Sequence, residues 1–146
     1  MVRPACDVFI NHRGIDTKRT VVRLLYHHLM KQGARPFLDA INMKPGDKLF
    51  DNIDKAILGC KVGVAVFSPR YCDSYFCLHE LSLMVESRKR IVPIFYDVKP
   101  SQLQVKDNNG WCSELELRRD WSELVRKASD AVMRNLVEAE EERRST

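Results

Sequence analysis

Three stretches of the chain are apolar almost without interruption: Val8-Phe9-Ile10, Val62-Gly63-Val64-Ala65-Val66-Phe67 and Ile91-Val92-Pro93-Ile94-Phe95. Short runs without polar alternation suit strands covered on both faces, as in a parallel sheet, better than strands with one wet face. Elsewhere apolar residues recur at helical spacing: Val21, Val22, Leu25 and Leu29; Leu49, Ile53, Ala56 and Ile57; Trp121, Leu124, Val125, Ala128, Val132 and Leu136.

The pattern predicts a first strand from Cys6 to Asn11, then a helix capped by Asp16 or Thr17 and stopped by Gly33. A short strand follows from Ala34 to Leu38; Pro36 cannot donate to a ladder, which places this strand at a sheet edge or gives it a local irregularity. Asp39 to Gly46 reads as a loop closed by Pro45-Gly46, and Asp47 as the cap of a second helix ending at Gly59. Next come a strand from Lys61 to Phe67, a helix from Ser74 to about Ser87, and a strand from Ile91 to Tyr96. Asp97 to Ser101 is a loop, no fifth strand stands out before Trp111, and the Trp121 to Leu136 pattern predicts a closing helix. Strands alternating with helices define an α/β class: a three-layer domain around a central, mostly parallel sheet of four to five strands.

With 146 residues and 45% hydrophobic composition the chain is read as one domain, 1–146, able to bury a core without staples. The stretch 137–146 is a charged tail, expected as a solvated or frayed helix end. The net charge of +4 comes from scattered Lys and Arg, so a nucleic-acid surface is unsupported; plain solubility explains the charge, and a small polyanionic ligand suits it equally. Five cysteines without a C-x-x-C pair read as reduced thiols. Cys72, Cys77 and His79 do not make a zinc site, since residues two apart on a helix face different ways, and no metal is expected. No apolar signal region or long membrane span is visible, so the reading is a cytoplasmic chain, with the nucleus also open to it and no membrane partner.

Glu80 is the lone carboxylate of the run from Ser74 to Val85. On a helix, Phe76 and Cys77 lie one turn before it and Leu83 and Met84 one turn after, on its own face. An apolar frame withholds water from the ionised form, making the group a structural oddity or a working acid, base or charge stabiliser. The alternative is a glutamate that points into solvent.

Open parallel sheets bind ligands beyond the carboxyl ends of their strands where chain order reverses, between strands one and three in the flavodoxin-like order. The segments there are Asn11-His12-Arg13-Gly14 and Ser68-Pro69-Arg70-Tyr71, the latter leading to the Glu80 helix. Arg13 offers a planar cation suited to phosphate, or is an exposed loop arginine; Gly14 would let backbone approach a ligand. Asp39 could accept ribose hydroxyls, or cap its own loop. His12 would stack, shuttle protons or be structural, and Phe76 would stack on a ring or belong to the core. There is no G-x-G-x-x-G, Walker loop, H-E-x-x-H or G-x-S-x-G, and Phe67-Ser68-Pro69 replaces the acidic strand end that a phosphoacceptor needs.

Taken in order, several segments resemble the Toll/interleukin-1 receptor (TIR) domain, in particular its plant branch. They are Asp7-Val8-Phe9-Ile10-Asn11-His12-Arg13-Gly14-Ile15-Asp16-Thr17; Phe37-Leu38-Asp39 with Pro45-Gly46; Ser74-Tyr75-Phe76-Cys77-Leu78-His79-Glu80-Leu81; and Pro93-Ile94-Phe95-Tyr96-Asp97-Val98-Lys99-Pro100-Ser101. The match is strongest over 5–101, and the chain resembles a TIR-only protein or an excised domain. The resemblance implies a flavodoxin-like sheet, self-association or contact with other TIR domains, and cleavage of NAD+ to nicotinamide and ADP-ribose or cyclic ADP-ribose products in plant immunity. NAD+ is then the substrate, and no cofactor is expected. By the same resemblance Glu80 matches the catalytic glutamate, Arg13 and Gly14 a substrate-contacting loop, Asp39 the loop after strand two, Ser74 a pocket serine, and Phe76 a ring-packing position. Three departures stand out: Phe76 for tryptophan and Asn11-His12 for Ser-Phe, both bearing on substrate stacking, and Arg23-Leu24 for Ser-His on a self-association surface. The rival implied reading is a non-catalytic adaptor acting by TIR to TIR contact.

Overall fold

The structure, a computed structural model, describes residues 6–17, 21–38, 49–98 and 121–145. Four parallel strands, β1 (Val8–His12), β2 (Pro36–Phe37), β3 (Val62–Phe67) and β4 (Arg90–Phe95), form a sheet in the order β2-β1-β3-β4. β1 and β3 run side by side from Val8 opposite Val62 to His12 opposite Val66, so the reversal of chain order falls between them, as expected. β2 is an edge strand of two residues, which fits the missing N–H of Pro36. The helices are α1 (Gly14–Thr17), α2 (Val21–Lys31), α3 (Leu49–Gly59), α4 (Tyr75–Glu86) and α5 (Trp121–Ser145), with a 3-10 turn at Tyr71–Asp73 before α4.

Side chains alternate across each strand, and the two faces have different partners. Val8 and Ile10 of β1 and Val62, Val64 and Val66 of β3 pack with α2 and α5, whose Val22, Leu25, Leu29, Ala128 and Val132 are buried there. Phe9, Ala65 and Phe67 face the opposite way, against Ile53 and Ile57 of α3 and Cys77, Leu81 and Met84 of α4. Gly63 shares this second face, where an added Cβ would crowd the Met84 thioether and force that side chain to shift. The same alternation puts Asn11, two residues after Phe9, on the α4 side. Burial pushes the Cys6 thiol up to about 11 and the Cys60 thiol up to about 12, leaving both as protonated packing groups.

α2 and α4 end in the same way. Gly33 has φ +91°, with Ala34 N–H bonded to Leu29 O and Gly33 N–H to Met30 O; after α4, Arg88 has φ +57°, with Lys89 N–H bonded to Met84 O and Arg88 N–H to Val85 O. Both are left-handed caps of the Schellman type, but the second carries a Cβ. Arg88→Gly is therefore expected to stabilise the fold by about 0.5–1 kcal/mol, net of the extra freedom glycine has in the unfolded chain. An unchanged or lower urea midpoint would contradict this.

The Asp16 carboxylate reaches across to the loop after β3, accepting hydrogen bonds from Ser68 Oγ (2.6 Å), Arg70 N–H (2.9 Å) and Arg70 Nε (2.7 Å). Residues 18–20, which Asp16 or Thr17 would cap, lie outside the described residues. The charged tail is helical through Ser145 and tethered, with Glu138 and Glu142 paired to Arg90 at the start of β4 and Glu140 to Lys61 just before β3. Lys61, then Arg143, hold the Glu140 carboxyl down at about 2. Residues 39–48, with Asp39, Pro45-Gly46 and the Asp47 cap, lie outside the described residues, as do 99–120.

Candidate active site

Glu80 lies on the inner side of α4, buried with 8% of its surface exposed, between Cys77 and Met84 of the same helix face. It does not point into bulk solvent. Ser74 fixes the start of that helix: its Oγ accepts from Cys77 N–H at 3.3 Å, capping one of the otherwise unpaired amides of the first turn. The Cys77 thiol in turn donates to His12 O at 3.4 Å, tying α4 to the end of β1. His79 leaves the helix in another direction, with Nε2 3.2 Å from Asp54, so Cys77 and His79 do diverge.

Asn11 occupies the centre of the arrangement and is fully buried. Its amide nitrogen donates to Glu80 Oε1 at 2.9 Å and to Cys77 O at 3.2 Å, and its carbonyl accepts from the Tyr71 hydroxyl, which also approaches Cys77 O at 3.2 Å. The orientation of the amide follows from its neighbours: Cys77 O only accepts, so the amide nitrogen must be on its side and the oxygen faces the phenol. Burial, then the nearby Cys77 and Glu80, push the Tyr71 hydroxyl far above its ordinary range, so it stays a donor throughout the physiological pH range. The departure at Asn11 thus bears on the carboxylate itself; a fully buried side chain has no face to offer a substrate ring.

His12 follows on the other side of the strand. His12 Nδ1 shares a hydrogen bond with Thr17 Oγ1 at 3.0 Å, and the same hydroxyl reaches Arg13 O at 3.0 Å. This bond closes the turn that presents Arg13 and Gly14. Arg13 is half buried, and its Nε is buried with no hydrogen-bond partner among the described residues. An orphaned guanidinium donor of this kind is costly unless something supplies an acceptor. Gly14 opens α1 without a positive φ, and a Cβ there would meet nothing within 4 Å. Its backbone is thus conformationally ordinary and its surroundings are open.

Phe76 stands at the surface of α4, 43% exposed, with its ring edge-on to Tyr75 at 6.2 Å. It is neither core nor part of a closed apolar frame around Glu80, because the one-turn spacing that buries Cys77 leaves residue 76 on the outer shoulder of the helix. The structure brings Glu80 to Asn11 at the end of β1 and uses Ser74 to cap the same helix; Arg13 and Gly14 follow β1 in the chain, and Phe76 is exposed on α4. Sequence reasoning missed Asn11 as the partner of Glu80 and Tyr71 as the partner of Asn11, and the Asp16 contacts that tie the loops after β1 and β3 together. A polar residue continuing the Phe9 face of a buried strand was the available signal for Asn11.

A family model for the TIR domain matches residues 8–135, and the chain belongs to the TIR domain family. Among its relatives is BdTIR from Brachypodium distachyon, described as a probable 2′ cyclic ADP-D-ribose synthase, which is 49% identical over 158 aligned residues, covering 92% of this chain and 70% of that protein. The TMV resistance protein N of Nicotiana glutinosa is 36% identical over 102 residues, 67% of this chain but 9% of that much longer protein. Among solved structures, the TIR domains of the activated Roq1 resistosome that directly recognizes the effector XopQ superpose with a TM-score of 0.74 at 27% identity, covering 87% of this chain and 99% of theirs. The RPS4 and RRS1 TIR domain heterodimer shares the fold, with a TM-score of 0.66 at 18% identity over 90% of this chain and 98% of that one.

Proposed function

We propose that this TIR domain cleaves NAD+ at the bond between nicotinamide and ribose and signals in plant immunity through self-associated TIR domains, acting in the cytoplasm with NAD+ as substrate and no resident cofactor. In the reaction the C1′–N bond breaks, its electron pair leaves with nicotinamide, and the ribosyl cation is captured by water or by a nucleophile of the same molecule, with loss of one proton. Nicotinamide departs from a pyridinium as a neutral molecule, so the leaving group needs no general acid. Glycosidases require a second carboxyl group because their leaving oxygen must be protonated. One carboxylate suffices here, and Glu80 holds the ribose hydroxyls and stabilises the developing positive charge.

The observation that carries this reading is a buried carboxylate, held through one oxygen by the neutral amide of Asn11 at 2.9 Å, beyond the carboxyl ends of β1 and β3. A neutral donor fixes the group without cancelling its charge. The unpartnered Nε of Arg13 on the adjoining loop supports a role in binding a substrate phosphate oxygen. Gly14 leaves room for the ligand beside it, Ser74 holds the helix that bears Glu80, and Phe76 at the rim offers a ring for the substrate to pack on. Asp39 is proposed, from sequence alone, as a further contact to ribose. No helix among the described residues is long and apolar enough to cross a membrane.

Incubating the purified chain with NAD+ and following nicotinamide release at several protein concentrations tests the proposal. Release is expected, with a rate that rises faster than linearly with protein because neighbouring copies complete the pocket. An adaptor would assemble equally with or without NAD+ and release nothing at any concentration.

A further inference from the structure

We propose that Asn11 is a positioning residue for Glu80, itself held in register by Tyr71, so that a hydrogen-bonded neutral pair keeps the carboxylate ionised and correctly aimed inside the fold. The inference rests on the reading of Glu80 as the group that stabilises the ribosyl cation, and deepens it by identifying what maintains that group.

The geometry leaves Asn11 little freedom. Both amide protons and the carbonyl are used, on Glu80, Cys77 O and Tyr71 respectively, and the side chain is fully buried. All three contacts reach elements far along the chain, one from β1 to the 3-10 turn and two to α4, so the amide also fixes how the Glu80 helix sits on the strand end. A carboxylate removed from water is stabilised as an ion by each N–H that faces it. A cationic partner in the place of Asn11 would do this more strongly, but would neutralise the charge that the transition state needs. An amide stabilises the ion and leaves its field intact. Tyr71 is the second member because an unrestrained amide could turn its oxygen toward the carboxylate, where the two acceptors would repel.

Asn11→Leu removes the donor with little change in volume, and leaves Cys77 O still approached by Tyr71. Tyr71→Phe removes only the orienting hydroxyl. In Asn11→Leu, kcat for nicotinamide release is expected to fall at least about tenfold at neutral pH with KM within about twofold, because Asn11 is too deep to touch substrate. The acid limb of the kcat profile should move to higher pH by about one pH unit or more, since the carboxylate has lost the Asn11 N–H that favours its ionised form. Tyr71→Phe should move both quantities the same way by less. The carboxyl carbon resonance of Glu80, assigned by its loss in Glu80→Gln, gives a readout independent of turnover: its titration should shift upward in both variants.

A folded Asn11→Leu protein with the wild-type profile and titration would overturn the inference, as would a fall in kcat with no movement along the pH axis, which is what a merely structural residue gives. Should Asn11→Leu not fold, an unshifted Glu80 titration in Tyr71→Phe overturns it instead. If Glu80→Gln retains wild-type turnover, the functional reading fails and the inference falls with it. If Glu80→Gln is inactive while Asn11→Leu is unaltered, only the role of Asn11 is lost.

Discussion

Replacing Glu80 by Gln or Ala is expected to lower nicotinamide release by about two to three orders of magnitude, the usual effect of removing a preorganised electrostatic group. Gln is the sharper test because it keeps the shape and can still accept the Asn11 hydrogen bond, so the fold should survive while the charge is lost. Ala leaves one of the two Asn11 N–H groups without its Glu80 acceptor while the other keeps Cys77 O, and should lower the melting temperature as well. The two variants together separate charge from packing: equal loss of turnover with unequal loss of stability is the expected pattern. Wild-type turnover in both would end the case for a carboxylate that stabilises a cation, and would favour the adaptor.

The second large effect is expected at Asp16, whose carboxylate joins the loops after β1 and β3. Its side chain is 6% exposed, whereas that of its ion-pair partner Arg70 is 55% exposed, so most of the interaction lies in the hydrogen bonds and little in the surface charge. Asp16→Ala should cost about 2–3 kcal/mol in urea unfolding at neutral pH, against less than about 1 kcal/mol for Arg70→Ala. Burial alone would push the Asp16 carboxyl up, but the hydrogen bonds from Ser68 and Arg70 and the Arg70 charge together hold it below its ordinary value of 3.8. A carboxyl lowered in the folded state adds stability above its unfolded value, and that contribution disappears as pH falls through the folded one. The gap between wild type and Asp16→Ala should therefore narrow on acidification below about pH 4. A gap of the same size at pH 7 and pH 3 would show that the carboxylate charge plays no part.

The central strands were legible because residues covered on both faces leave a continuous apolar run, and β1, β3 and β4 begin and end within one or two residues of the expected limits. β2 was overextended: Ala34 to Leu38 looks like a strand, but an edge position beside Pro36 supports pairing over only two residues. The sheet order was also legible, and its reversal falls between β1 and β3, where Asn11 meets Glu80. What the sequence hid were contacts between distant segments. Tyr71 and Asn11 are sixty residues apart along the chain, and a polar residue ending an apolar run looks the same whether it marks the strand's exit or anchors a buried network. The contacts of Asp16 with Ser68 and Arg70 stayed hidden for a related reason, because an aspartate ahead of a helix has the same local signature whether or not it reaches across to another loop.

The acidic end of α5 has a practical bearing. Glu138, Glu140 and Glu142 reach the starts of β3 and β4, whereas Glu80 and Arg13 belong to the opposite rim, beyond the strands' far ends. A fluorescent reporter or surface anchor joined after Ser145 would therefore emerge on the side away from the proposed substrate cleft. Immobilising the molecule by that end should leave nucleotide access unobstructed.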